Sequence, residues 1–200
     1  MDSKFFSFVN PFLNFIDAGD FYRKPFKWLY TLIAVLSLLT PLYLFYEMIS
    51  MKIFDGPAKL IIAALLMWII IAVAYWIVFQ IWWSRKSQIG ENKIEGDRFL
   101  ATPAFGHLIQ TGGESIGTWI AIVGAGVSLI GFIFFGSDAR ELNRVVNVGG
   151  SSDYGIVGVA IFPIIGFIIV VFSRFVSEQI SALAAIANST KETAKNTKKD

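Results

Sequence analysis

The chain has one histidine, His107, and no cysteine. Thiol nucleophiles, thiolate metal sites and disulfides are therefore outside its chemistry. A lone histidine without a carboxylate or second histidine nearby makes a poor metal or acid–base centre, so His107 is expected to pack at an interface. No Walker-type glycine loop, HExxH, GxSxG or paired carboxylate at useful spacing is present. Gly124-x-Gly126 falls inside an apolar run and is no nucleotide loop. One histidine and four methionines offer little axial ligation for a haem. These residues point to a non-enzymatic protein without cofactor or metal.

Composition explains where the residues go instead. Hydrophobic residues make up 55% of the 200-residue chain and charged residues only 16%. A soluble domain carries roughly 25% charge. The apolar residues gather into four runs, at about 28–49, 60–83, 116–135 and 156–175. A helix of about 20 apolar residues crosses a hydrocarbon core of about 30 Å. The expected fold is an all-α integral membrane protein of four transmembrane helices arranged as two helical hairpins. The second run is the clearest, with no charge from Leu60 through Trp83. The fourth carries Pro163, which a membrane helix tolerates where neighbours satisfy the freed carbonyl. Net charge is only +2, so no global basic field suggests nucleic acid.

The distribution of Lys and Arg sets an expected orientation. The leader, the loop between the second and third runs, and the tail together hold thirteen of the 17 basic residues. The two alternate loops hold only Lys52, Lys59, Arg140 and Arg144. This excess places both termini in the cytoplasm. Compactness and orientation suggest a bacterial cytoplasmic (inner) membrane. Trp28, Trp82 and Trp83 stand at run boundaries, where amphipathic rings favour the headgroup level.

Outside the runs, residues 1–27 form a leader. Phe5, Phe8, Phe12 and Ile16 recur at helical spacing opposite Ser7, Asn14 and Asp17. They predict an amphipathic interfacial helix, anchored by Phe5, Phe8 and Phe12. Asn10, Pro11 and Asn14 interrupt its apolar stretch, so it is expected to be retained and not cleaved as a signal peptide. After the first hairpin, 28–83, comes a cytoplasmic loop, 84–115. Thr102-Pro103 predicts the start of a short helix, with Gly112-Gly113 as its end. The second hairpin spans 116–175. A cytoplasmic helix is expected over 176–190, with Val176, Ile180, Leu183, Ala187 and Thr190 as a heptad-like seam. The tail, 191–200, is polar enough to be disordered. A shift of 93 residues superposes Phe12 on Phe105, Ile16 on Ile109, Gly19 on Gly112 and Phe79 on Phe172, a hint of a duplicated hairpin.

The third run is the most informative. Gly117, Ala121, Gly124, Ser128 and Gly131 fall at steps of four, three, four and three, making one stripe of small residues. Small residues let helix backbones approach closely, which drives association in lipid. The stripe is expected to pack against the fourth run, with another subunit as the alternative. Ionisable groups within the four runs are confined to Glu47 and Arg174, near run ends. An intramembrane ionisable group is by default a functional-site hypothesis; a proton-coupled pump or intramembrane protease would carry more.

Abundant packing surface without chemistry leads to a non-enzymatic structural or assembly subunit of a larger membrane complex. Its partners would be the lipid bilayer and other membrane-protein subunits or copies of itself. The alternative is a subunit of an oligomeric channel or small transporter, lined by Ser37, Thr40, Gln80, Thr118 and Ser128. Because the chain lacks cysteine, single introduced thiols report topology directly. Lys195→Cys should react with an impermeant maleimide only from the cytoplasmic side and Asp138→Cys only from the opposite side. Labelling of both from one side would refute four crossings.

Overall fold

The computed structural model describes residues 20–91, 101–136 and 155–197, and all that follows concerns these. Four helices account for nearly all of them: α1 (Asp20–Ser50), α2 (Ala58–Glu91), α3 (Ala101–Phe135) and α4 (Gly155–Thr197). Each is long and apolar enough to cross a membrane. The leader positions Phe5, Phe8 and Phe12 lie outside the described residues.

Lipid offers no hydrogen-bond partners, so backbone groups must be satisfied within the helices. Local polar groups follow the same rule. Thr31, Ser37 and Thr40 each donate to the carbonyl one turn back, at 2.8 Å. Pro41 sits within α1, and its own carbonyl accepts the indole N–H of Trp68 on α2 at 2.9 Å. Between α1 and α2 the chain turns through a single 3-10 turn, Ile53–Asp55, after Lys52 takes up a left-handed conformation (φ 55°).

The helices form an open row. α2 packs against both α1 and α3, α3 packs against α4 along most of its length, and α1 touches α3 at one end only. α4 therefore relies on α3. One apolar cluster joins Ala63, Met67, Ile71 and Ala74 of α2 to Val123, Val127 and Ile130 of α3. A second joins Tyr30 and Ala34 of α1 to Val78 and Trp82 of α2. Both draw on one face of α2, at steps of three and four, as helix geometry requires.

Two boundaries differ from the sequence-based expectation. Gly112-Gly113 does not end a short helix; α3 runs through it unbroken. A glycine pair costs a helix roughly 1 kcal/mol per residue. Here tertiary contact outweighs that cost, because Ser173 of α4 occupies the space a Gly113 side chain would need. The third run thus extends some fifteen residues earlier than its hydropathy suggests. Likewise the fourth run continues as helix past Phe175, as expected, but stays helical at 191–197 where a disordered tail was expected.

The small-residue stripe is spent inside the chain. α3 and α4 run antiparallel, with Gly106 against Ile180, Gly117 against Gly166 and Val170, and Gly124 against Phe162. Ala121 touches Gly166 from the same face. Ser128 and Gly131 are buried. Gly126 lies off the stripe and meets Ile70 of α2. A Cβ on Gly117 would stand 2.5 Å from the Gly166 carbonyl oxygen, whereas one on Gly112 meets nothing within 4 Å. Gly117→Ala is therefore expected to cost about 1–3 kcal/mol by overpacking. Gly112→Ala should be neutral or stabilising by about 0.5–1 kcal/mol. Unfolding of the purified protein in mixed micelles by titrated dodecyl sulfate measures both, and equal effects would contradict this packing.

Candidate charged site at one end of the helix row

Continuity of α3 through Gly112-Gly113 puts His107, Gln110, Thr111, Glu114 and Ser115 on one helix. At steps of three and four, His107, Thr111 and Glu114 share a face. Sequence reading placed His107, Gln110 and Thr111 on a short helix in the cytoplasmic segment and left Glu114 and Ser115 beyond its end.

Glu114 is the centre. It is only 7% exposed. Its Oε2 accepts Arg85 Nη2 of α2 at 2.7 Å. Its Oε1 accepts three donors: Arg85 Nη2 at 3.0 Å, Gln110 Nε2 at 3.0 Å and Arg174 Nε of α4 at 2.9 Å. One carboxylate thereby ties together three helices. Burying an isolated charge is expensive, so buried charges are paired and hydrogen-bonded. The two arginines differ in exposure: the Arg85 side chain is 22% exposed and that of Arg174 54%. Two guanidiniums meet this one carboxylate.

Beside it, α1 joins α3. The Tyr30 hydroxyl donates to Thr111 Oγ1 at 3.1 Å and stands 3.0 Å from His107 Nδ1. Thr111 itself donates to the His107 carbonyl at 2.8 Å. Tyr30 is fully buried, with its ring edge-on to Trp82 at 4.7 Å. Its polar tip is thus satisfied and its body packed, as a buried tyrosine requires. His107 has the packing and hydrogen-bonding surroundings of a helix–helix contact.

A groove of about 340 Å³ opens below these groups, lined by Ile33, Tyr75, Trp82, Gly112, Ser115 and Trp119 among others. Its walls are almost wholly apolar. Arg85 stands one turn beyond Trp82 on the same face of α2.

The structure separates the other residues marked by sequence. Trp28 and Trp83 are exposed, as interface anchors must be, but Trp82 is not: it is buried against Tyr30. Ile180 packs on Gly106 and Val176 is half-buried, while Leu183 is 65% exposed. The expected seam is therefore split between an internal contact and a free surface. Arg85, Gln110, Thr111, Glu114 and Tyr30 were missed as a site. The available signal was the polar stripe at 107, 110, 111 and 114, masked by reading the glycine pair as a stop.

Family models, curated proteins and solved structures show no significant match to this chain. Its function has to be read from its own geometry.

Removing one partner of a buried pair strands the other charge, at about 3–5 kcal/mol. Arg85→Met should lose somewhat less, about 2–3 kcal/mol, because Arg174 and Gln110 remain bonded to Glu114. Arg174→Met should lose much less, because Arg174 is half-exposed and Arg85 still holds Glu114. Tyr30→Phe should cost about 1 kcal/mol. The same unfolding assay ranks the three, and an Arg85→Met protein as stable as the parent would remove Glu114 from its place as the central tie.

Proposed function

We propose that this chain is a non-enzymatic structural or assembly subunit of a larger membrane complex, in a bacterial cytoplasmic membrane with both termini cytoplasmic. The observation that carries the reading is an apolar ridge on α4 that continues beyond what a bilayer can cover. α4 has 43 residues, about 64 Å at 1.5 Å per residue, against a hydrocarbon core of about 30 Å. Its uncharged run, 156–172, is followed by Ser173, Arg174, Ser177, Glu178 and Gln179. Leu183 and Ile186 come after these polar residues, yet they are 65% and 63% exposed. They continue a ridge through Ile168, Phe172 and Phe175, all exposed. Lipid accounts for the first part of that ridge. Water does not account for the second, and a protein partner does.

The small-residue stripe packs against α4, as its spacing suggested. It builds a rigid α3–α4 pair and leaves the far side of α4 to the partner. The channel alternative gains little support. Ser37 and Thr40 bond their own helix, and Ser128 is fully buried in the packing of α3. Among the described residues these groups do not converge on one path.

The test is the mass of the native complex after gentle extraction at normal expression. A stoichiometric complex with other chains is expected, and Leu183→Asp with Ile186→Asp should release the 22.3 kDa chain. A homo-oligomer that conducts ions or solutes in liposomes would overturn the reading in favour of a channel. A complex unchanged by the double substitution would remove α4 as its docking element.

A further inference from the structure

We propose that Arg174 seats the phosphate of an anionic phospholipid, whose acyl chain lies down α4 along Val171, Phe167 and Ile164. The inference concerns a different ridge of α4 from the one assigned to a protein partner, and stands independently of it.

Charge comes first. Arg85, Arg174 and Glu114 bring two cations to one buried anion. Arg174 meets Glu114 through Nε alone. Among the described residues its ion pair is with Glu114, and its side chain is 54% exposed. A guanidinium held at Nε on a half-exposed side chain presents planar N–H donors suited to phosphate oxygens. The bond to Glu114 holds the side chain in place before any ligand arrives, so less freedom is lost on binding.

Depth comes second. Residues 156–172 contain no charged or strongly polar side chain. Seventeen residues rise about 26 Å, close to the thickness of the hydrocarbon core. Arg174, two residues on, therefore falls at headgroup level. On the neighbouring helices Arg85 follows the uncharged run 60–83, and Glu114 precedes the apolar run 116–135. The three meet at one level because each marks the same end of its span.

Shape comes third. Ile164, Phe167, Val171 and Arg174 recur at steps of three, four and three, so they stack along one ridge. The three apolar members are all exposed, and they descend from Arg174 into the membrane-crossing part of α4. A phosphate at the top and a chain along this track match one phospholipid molecule. Glu178, one turn further out, is exposed and forms no ion pair with Arg174. It bounds the site on the aqueous side.

The experiment is native mass spectrometry of the delipidated full-length protein titrated with dioleoyl phosphatidylglycerol, dioleoyl phosphatidylcholine and inorganic phosphate. Phosphatidylglycerol should bind at least about fivefold more tightly than phosphatidylcholine, near the contribution of one basic residue at an anionic surface. Arg174→Gln should abolish that preference, Arg174→Lys should retain part of it, and Phe167→Ser should weaken both lipids alike. The stability of each variant is checked by melting in the same detergent. Because Arg174→Lys keeps the charge, it remains informative if Arg174→Gln folds poorly. Equal binding of the two lipids, or a preference that survives Arg174→Gln in a folded protein, would overturn the proposal. Inorganic phosphate that displaces the lipid at equal concentration, with no effect of Phe167→Ser, would overturn the assignment to lipid and leave a soluble phosphate ligand.

Discussion

The backbones of α3 and α4 approach closely at Gly117 and Gly166, and much of the described arrangement depends on it. In lipid, two helices gain nothing from hiding apolar side chains that lipid tails solvate equally well. Association must come from contact density and hydrogen bonding. Glycine opposite glycine supplies the first, since neither residue has a Cβ to hold the helices apart. It also makes the second possible. With the backbones this near, Arg174 of α4 reaches Glu114 of α3 at 2.9 Å. Glu114 can then be buried without standing as an uncompensated charge, because Arg85 of α2 reaches it from the opposite flank. Packing and electrostatics therefore reinforce one another at a single level of the row.

An open row rather than a closed bundle has consequences. α3 is the hub: it touches α1 through the Tyr30, His107 and Thr111 group, α2 through an apolar cluster, and α4 through the small-residue face. Among the described residues α4 gains its place from α3, and much of the remainder of its circumference is exposed. That circumference divides into two further ridges. One carries Arg174 above an apolar track and suits a phospholipid. The other carries Phe172 and Phe175 on toward Leu183 and Ile186 and suits a protein. A helix committed on one side and open on two is what a subunit needs if it is to connect a membrane complex to its lipid surroundings.

Much of the architecture was legible because hydropathy is local and additive. A run such as 60–83, with no charge across more than twenty residues, has no stable alternative to a helix in lipid. The stripe Gly117, Ala121, Gly124 and Ser128 was legible for the same reason, since helical periodicity follows from spacing alone. Its destination, expected to be the fourth run, was not fixed by that spacing. Whether a small-residue face meets its own chain or another depends on where α4 lies, and no spacing within α3 encodes that. The glycine pair at 112 and 113 failed more sharply. Local propensity reads it as a stop, and only the presence of Ser173, sixty residues on, turns Gly113 into a contact.

The sequence by itself determined that this is an all-helical chain with four segments able to cross a membrane. Those properties follow from side-chain transfer energies and backbone hydrogen bonding within each segment. Tertiary structure alone decided that the four form an open row and that Trp82 faces Tyr30 and not lipid. It also decided that Arg85, Glu114 and Arg174, scattered along the chain, share one ionic cluster. Burial of a charge is a property of its neighbours, and here those neighbours arrive from helices 29 and 60 residues away in sequence.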